Sequence, residues 1–294
     1  MISKFKGLFF RRKIFPAVLS PQMDAYLTAQ YIGNSIVAKK PFLVSRLGFT
    51  EARCLSQPGG IDEPSEFVMD LIRINSGVFP AKKSQFKAFG EIYLNALGQV
   101  DLLGLIRNPA EIKLVDAHAK RVATCDLPAL EPYLHPVPWS RHLQGLKVLV
   151  VHPFVESIKR QFADHRAKIF LNPDVLPEFE LNLLRAPQTL SGNNDGYKSW
   201  TDAYNIMTDK ISNEDFDVAI LGCGAYGLPL GAFVKTLGKV AIHLGGATQM
   251  LFGISGKRWI ERAEFRAIIT DVWRTPLEAE RPQGGEKVDE GAYW

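Results

Sequence analysis

The sequence predicts an α/β protein with a Rossmann-like, mainly parallel sheet that is covered by helices on both faces. Short runs rich in leucine and β-branched residues alternate along the chain with segments whose apolar residues recur three and four positions apart. The apolar runs lack a polar face, which is typical of strands buried on both sides in a parallel sheet. A Gly-x-Gly-x-x-Gly turn between one such run and a helical segment favours the same class.

The individual elements follow from these patterns. Strands are predicted at 41–47, 147–154, 180–186, 216–221 and 239–244, because each run is followed by a polar or glycine-containing turn. Helices are predicted at 65–74, 84–97, 109–122, 155–166 and 200–211. No internal repeat or low-complexity segment interrupts the alternation.

Composition limits the function classes. The chain has 294 residues, of which 46% are hydrophobic and 22% are charged, with a net charge of +4. Lysine and arginine are spread along the chain, so nucleic acid is not an expected partner. Cys54, Cys125 and Cys223 have no metal-ligand spacing and are typical of a reducing compartment, so we expect a cytoplasmic protein.

Three regions are expected. Residues 1–39 form a basic and aromatic N-terminal segment, 40–275 an α/β domain and 276–294 a surface arm that ends in Tyr293 and Trp294. The proline-rich stretch 125–139 is either a boundary inside the domain, near 125–140, or a loop. Two interpretations of the segment 5–15 are considered. It is either a frayed basic end or a segment in peripheral contact with an anionic membrane surface. No apolar run is long enough for a transmembrane helix.

The glycine turn after the 216–221 run is the first candidate site. Glycines after a strand let the backbone approach a diphosphate, and the following helix directs its amides at the negative charge. Gly222, Gly224 and Gly227 fit this pattern. NAD-binding domains and methyltransferases place an acid at the end of the next strand, whereas this chain has His243 there. A tight turn with no ligand is the alternative.

A second pair of glycines, Gly245 and Gly246, follows His243, and Lys257 and Arg258 come soon after. Two neighbouring strands that end in glycines, with cations nearby, predict a crevice at the carboxyl edge of the sheet in which a diphosphate binds.

Another candidate site lies near the start of the domain. The strand 41–47 runs into "SRLGFTE", which contains Ser45, Arg46, Gly48 and Glu51. A guanidinium suits diphosphate charge, and a carboxylate suits a metal or a sugar hydroxyl. A local ion pair between Arg46 and Glu51 that braces the turn is the alternative.

Several stretches together resemble a bacterial family related to the GT-D-fold glycosyltransferases. The resemblance runs in order from about residue 40 to the end, through "SRLGFTE", "KVLVVHPF", "LPEFEL", "LSGNNDGYKSWTDAY", the glycine-rich segment 216–259 and "KVDEGAYW". It implies sugar transfer from a nucleoside diphosphate sugar to a glycan or to a lipid- or protein-linked acceptor, in surface polysaccharide or glycoprotein assembly.

One departure from the family pattern affects the metal. Members of that fold class resemble one another in an Arg-x-Gly-Asp-x-Glu turn near the start of the domain. The two acids of this turn serve nucleotide-sugar and divalent-metal binding. Here Arg46, Gly48 and Glu51 match, but Phe49 stands where the first acid is expected. A Mn²⁺ or Mg²⁺ ion on Glu51 is therefore one expectation, and a metal-free diphosphate held by Arg46, Lys257 and Arg258 is the other.

The candidate residues are assigned as follows. Catalytic candidates are Glu51, His152 and His243; a packed histidine without function is the alternative for His152. Asn193 and Asn194 either form a turn or bind sugar hydroxyls. The substrate-binding candidates are Ser45, Arg46, Gly48, Asn193, Asn194, Gly222, Gly224, Tyr226, Gly227, Gly245, Gly246, Gln249, Lys257 and Arg258.

Two rival functions stay open at this stage. The first is an NAD- or S-adenosylmethionine-dependent enzyme, against which the missing ribose acid counts. The second is a non-catalytic nucleotide-sugar-binding partner protein, which Phe49 favours.

Overall fold

The computed structural model describes residues 22–282 and 284. The predicted α/β class is confirmed, because the described residues form one seven-stranded sheet in which every pair is parallel, with helices on both faces. The strands are β1 (Phe42–Arg46), β2 (Leu102–Leu105), β3 (Ala123–Asp126), β4 (Lys147–His152), β5 (Glu180–Arg185), β6 (Val218–Leu221) and β7 (Val240–His243).

Eleven α-helices are found in the described part of the chain. They are α1 (Ala25–Val37), α2 (Phe49–Leu55), α3 (Glu66–Ser76), α4 (Lys83–Leu97), α5 (Pro109–His118), α6 (Val155–Ile169), α7 (Trp200–Ser212), α8 (Gly227–Thr236), α9 (Ala247–Leu251), α10 (Lys257–Ile260) and α11 (Ala263–Arg266).

Local sequence signals explain where several of these helices begin and end. The Ser65 hydroxyl accepts from the Val68 amide at 3.3 Å and caps α3, which stops at Gly77 with a left-handed φ of 70°. Asn108 caps α5 ahead of Pro109 in the same way, and Ser199 caps α7. Side-chain oxygens thus satisfy amides that no helical carbonyl can reach.

The strand order is β3-β2-β1-β7-β6-β4-β5. Connections from β1 lead to one edge of the sheet, whereas β4 and β5 lie at the other edge, and β7 and β6 fill the middle. Carboxyl ends of strands from both halves of the chain therefore meet at one edge, where open α/β sheets bind ligands.

Each face of the sheet has its own core. Leu43 of β1 packs in the core that contains Phe89 of α4 and Leu230 of α8. Its neighbour Val44 packs in the other core, with Ile32 of α1. This alternation is expected of a strand buried on both faces.

The structure differs from the sequence predictions between β2 and the stretch 125–139. The strands β2 and β3 were not predicted, and the helix predicted at 109–122 is wrong at its end, since α5 stops at His118 and β3 begins at Ala123. The stretch 125–139 forms short 3-10 turns, and strands on both sides of it belong to the same sheet.

The ends of the chain bear on the remaining predictions. Residues 5–15, Tyr293 and Trp294 lie outside the described residues, so the membrane contact and the anchored end of the arm stay predictions. Within the described residues, no helix has the length and apolar character needed to cross a membrane.

Candidate functional site

A cavity of about 800 Å³ lies at the carboxyl edge of the sheet. This volume is within the range of small-molecule and cofactor sites. Lining residues come from the ends of β1, β4, β6 and β7 and from the segments that follow them. The sheet topology thus brings together the two candidate sites that are more than 150 residues apart in the sequence.

Most of the predicted site residues line this cavity. They are Arg46, Gly48, Glu51, His152, Gly222, Gly224, Tyr226, His243, Gly245, Gly246, Gln249, Lys257 and Arg258. Ser45 and Gly227 lie directly behind His243, as described below. Asn193 and Asn194 are not among the lining residues. The Asn193 amide donates to the Leu190 carbonyl, and Asn194 accepts from the Gly196 amide, so both side chains bond within their own turn.

The three glycines of the Gly-x-Gly-x-x-Gly turn differ in what requires them. A Cβ on Gly222 would lie 2.5 Å from the His152 ring, and one on Gly227 would lie 2.2 Å from Nε2 of His243. These two positions need glycine for packing alone. Gly224 has a φ of +56° and no atom within 4 Å of its would-be Cβ, so it presents bare backbone to open space beside the cavity.

His243 ends β7 in a buried polar contact. Its Nδ1 lies 2.9 Å from the Ser45 hydroxyl at the end of β1, the neighbouring strand. Burial, with a contribution from Arg46, lowers the pKa of His243 to about 3. The ring is therefore neutral at pH 7. The positive charge available to a ligand beside His243 is that of Arg46.

His152 ends β4 and is also almost fully buried. The Phe154 amide donates to its Nδ1 at 3.0 Å, so in the neutral ring the proton is on Nε2. Burial lowers the pKa of His152 to about 3. Both histidines are consequently neutral groups, better suited to donating a hydrogen bond than to accepting a proton at pH 7.

The turn after β1 places the positive charge of Arg46 and the negative charge of Glu51 at the cavity. Glu51, in the first turn of α2, is 7% exposed, and its carboxylate lies over Gly48, where a Cβ would be 1.8 Å from Oε2. The hydroxyl of Tyr93 accepts from the Gly48 amide at 3.3 Å. Gly48 therefore permits the buried carboxylate to fold back against its own turn.

Cations outnumber carboxylates around the cavity. The cationic lining residues are Arg46, Lys257 and Arg258, and the acidic ones are Glu51 and Glu261. Gly245, with a φ of +62°, would place a Cβ 3.4 Å from Cδ of Arg46, so the arginine stem lies along the second glycine pair. An excess of positive charge next to bare backbone suits a diphosphate.

Glu131 lies behind these cations. Burial raises its pKa, whereas the Tyr133 hydroxyl, which donates to Oε2 at 3.0 Å, and the charges of Arg46, Arg262 and Arg258 lower it. Glu131 is therefore a partly buried carboxyl group that these cations influence electrostatically, and nothing in its sequence context predicted this.

Part of the cavity wall was also missed. Asn75 and Ser76 at the end of α3 and the segment 187–190 all line the cavity. The segment 187–190 follows β5, so the rule that site residues follow strand ends could have found it. Asn75 and Ser76 end a helix and carried no such signal.

The fit of a divalent metal can be tested on the side chains. Within residues 22–282 and 284, no group of three His, Cys, Asp or Glu side chains is arranged to hold a metal ion. The Arg-x-Gly-Asp-x-Glu turn described above has two acids, but in this chain only Glu51 is present, because Phe49 occupies the position of the first acid. The described residues thus offer one buried carboxylate at the predicted metal position, and metal dependence stays a prediction.

Comparison with known proteins adds a fold-level likeness. The chain is similar in structure to a domain of unknown function 1792, solved in selenomethionine-substituted form. The two are 15% identical, the match covers 90% of this chain and 93% of that chain, and the TM-score is 0.39. No family model and no curated protein matches the sequence. At this identity the likeness carries no information on the chemistry of the cavity.

Proposed function

We propose that this chain is a glycosyltransferase that moves a sugar from a nucleoside diphosphate sugar to an acceptor hydroxyl in bacterial surface glycan or glycoprotein synthesis. The observation that carries the proposal is the single cavity in which Arg46, Lys257 and the Gly224 turn converge. The sequence resemblance to the GT-D-fold glycosyltransferases supports the same reaction class. The donor's diphosphate binds between the arginine and the glycine turn.

The reaction places distinct demands on these residues. The bond between the sugar's anomeric carbon and the diphosphate oxygen breaks, and its electron pair stays on the diphosphate. Arg46 and Lys257 stabilise this charge, and the amide groups near Gly224 contribute hydrogen bonds. The acceptor oxygen bonds to the anomeric carbon and loses its proton.

Glu51 is the residue to which we assign that proton. It is a buried carboxylate that lines the cavity, whereas burial makes His152 and His243 weak bases. The two histidines instead hold the strand ends, His152 by accepting from the Phe154 amide and His243 through its contact with the Ser45 hydroxyl. Glu51 would also be the carboxylate to hold a divalent metal, which would add positive charge near the diphosphate.

A thermal-shift screen tests donor binding. Wild-type protein is mixed with UDP-, GDP- and dTDP-sugars, NAD and S-adenosylmethionine, each with and without Mn²⁺. A nucleotide sugar at one hundred times its Kd should stabilise the fold by about 2.7 kcal/mol, a shift of several degrees. Protection by NAD or S-adenosylmethionine alone would contradict the proposal.

Variants localise the binding. Arg46→Gln should abolish the nucleotide-sugar shift, and Arg53→Gln is the matched control, because Arg53 lies on α2 outside the lining residues. Equal shifts in both variants would remove Arg46 from the site.

A non-catalytic partner protein is the second candidate function, favoured by the low basicity of both histidines. Release of nucleoside diphosphate from the donor on addition of an acceptor separates the two candidates. Donor binding without any release, across a panel of glycan acceptors, would favour the partner protein.

A further inference from the structure

Phe49 is exposed inside a cavity. It is the first residue of α2, it lines the cavity, and 58% of its surface is accessible. Exposing a phenylalanine to water is unfavourable, and a flat ligand group packed on the ring would remove that cost. Phe67 on α3 is as exposed, at 61%, but it is not a lining residue, and the Arg53 guanidinium lies 5.9 Å from its ring.

Ser76 supplies an independent observation on the same cavity. It is the last residue of α3, it lines the cavity, and it is 3% exposed. Its hydroxyl has no hydrogen-bond partner among the described residues. A buried hydroxyl without a partner is costly, so the polar edge of a ligand is the natural partner for it. Asn75, its neighbour, lines the cavity as well.

The helices that carry these residues pack together. The Cys54 thiol of α2 lies 3.8 Å from the Val68 carbonyl of α3. At the far end of α3, a Cβ on Gly77 would meet the Thr189 hydroxyl at 2.4 Å. Phe49, Ser76 and Thr189 therefore belong to one wall of the cavity, formed by α2, α3 and the segment after β5.

We propose that Phe49, Asn75 and Ser76 form a nucleobase subsite. Phe49 stacks on the face of the base, and Ser76 and Asn75 bond to its edge. A nucleobase offers both a flat π surface and an edge of donors and acceptors, which together match this wall. The inference rests on the proposed function and adds the part of the donor that the cations do not explain.

The two kinds of contact have different consequences. Stacking tolerates any base, because every base has a π face, whereas edge hydrogen bonds discriminate among bases. Phe49 therefore contributes affinity, and Ser76 and Asn75 contribute preference for one base over another.

Calorimetry with three ligands tests the stacking. Wild-type protein and the Phe49→Ala variant are titrated with UDP, GDP and inorganic pyrophosphate. Phe49→Ala should weaken binding of both nucleoside diphosphates by ~10-fold or more, and pyrophosphate affinity should not change, because Arg46 and the glycine turn are intact. Phe49→Trp should restore the affinity.

Phe67→Ala is the matched control, because it removes an equally exposed ring that does not line the cavity. Nucleoside diphosphate affinity that falls equally in the Phe49→Ala and Phe67→Ala variants, or that falls in neither, would overturn the subsite. So would an equal loss of pyrophosphate and nucleoside diphosphate affinity in Phe49→Ala.

Ser76→Ala tests the edge contact. Because the hydroxyl has no partner in the free protein, the melting temperature should stay the same or rise. The ratio of UDP to GDP affinity should move towards one by ~5-fold or more, the size of one hydrogen bond to a buried partner. An unchanged ratio would show that Ser76 does not read the base.

Failure of the subsite differs from failure of the proposed function. If wild-type protein binds nucleoside diphosphates and Phe49→Ala binds them equally well, the subsite is wrong and the proposed function stands. If wild-type protein binds pyrophosphate but no nucleoside diphosphate more tightly, both are wrong.

Discussion

His152 ends β4 and His243 ends β7, and each ring makes a hydrogen bond through Nδ1. Their rings occupy the space that Gly222 and Gly227 leave free, since a Cβ at either glycine would collide with one of them. The histidines and the glycines thus pack together as one unit at the cavity wall. Two of the three glycines in the Gly-x-Gly-x-x-Gly pattern, Gly222 and Gly227, are therefore explained by packing against histidine rings.

Burial of these histidines predicts acid sensitivity. Both have a pKa near 3 in the folded state and an ordinary value of 6.5. Above pH 6.5 neither state takes up a proton. Between pH 6.5 and 3 the unfolded chain is protonated and the folded chain is not, so stability falls with decreasing pH, by about 1.4 kcal/mol per pH unit for each histidine.

The measurement is denaturant unfolding between pH 7.5 and 5. His243→Gln should give a shallower loss of stability than wild type. His118→Gln is the control, because His118 is exposed at the end of α5. Parallel pH profiles for wild type and His243→Gln would contradict the burial argument.

Gly224 separates backbone conformation from ligand approach. Gly224→Val should abolish nucleotide binding, because a branched side chain on a positive-φ residue fills the space that faces the cavity. Gly60 is a close match, with a φ of +58° and no atom near its would-be Cβ, but it is not a lining residue. Gly60→Val should therefore cost similar stability and leave calorimetric affinity for UDP-sugars unchanged.

Glu51 carries the chemistry of the proposed function. Glu51→Gln removes the carboxylate while keeping the shape, so sugar transfer should fall ~100-fold or more, the usual loss of a general base. Donor affinity without metal should change little. Activity is measured as nucleoside diphosphate release, with exposed Glu63→Gln as the control. Retained activity with a lower melting temperature would make Glu51 a structural brace of the turn.

At the scale of elements, helix α6 begins without a side-chain cap from its own N-cap residue, Phe154. Its first amides instead donate to Glu280, a residue more than 120 positions later in the sequence. The Glu280 carboxylate accepts from the Glu156 amide at 2.7 Å and from the Ser157 amide and hydroxyl. A carboxylate at a helix N-terminus is favourable both as a cap and towards the helix dipole.

This contact predicts that the segment near Glu280 stabilises the fold. Glu280→Ala should lower the free energy of unfolding by about 1–2 kcal/mol. Glu278→Ala is the matched control on the same 3-10 turn, because the Glu278 side chain is 88% exposed and its ion pair with Arg281 is 4.0 Å long. Equal effects in a guanidinium titration would contradict the capping role.

The elements also show which parts of the fold the sequence could predict. The strands β1, β4, β5, β6 and β7 were predicted because their apolar runs are bounded by turns. The four-residue strands β2 and β3 were not, because "LLGL" is compatible with helix or strand and the helical pattern of α5 runs into β3. Their pairing with β1 decides the conformation.

The candidate site divides in the same way. Arg46 and His243 were predicted as members of two candidate sites, each at the end of a strand, and the shared carboxyl edge of the parallel strands brings the two sites together. Ser76 and Thr189 both line the cavity because the end of α3, at Gly77, packs on the segment after β5. Such tertiary contacts leave no periodic signal in the sequence.

At the scale of the whole molecule, β1 pairs with β2 on one side and with β7 on the other. Strands from before and after the stretch 125–139 thus share a continuous sheet. We expect one cooperative thermal transition, with a ratio of calorimetric to van't Hoff enthalpy of about 1. Two separate transitions in calorimetry would instead favour a boundary near 125–140.

The pairing of Phe42 with Val240 has a consequence for biosynthesis. The ribosome releases β1 nearly two hundred residues before β7, so the nascent chain carries a strand with one unpaired edge and apolar side chains such as Leu43 and Val44. Unpaired apolar strands aggregate or bind chaperones. Translation that stops before residue 240 should therefore give an insoluble product, whereas a chain that contains β7 pairs both edges of β1.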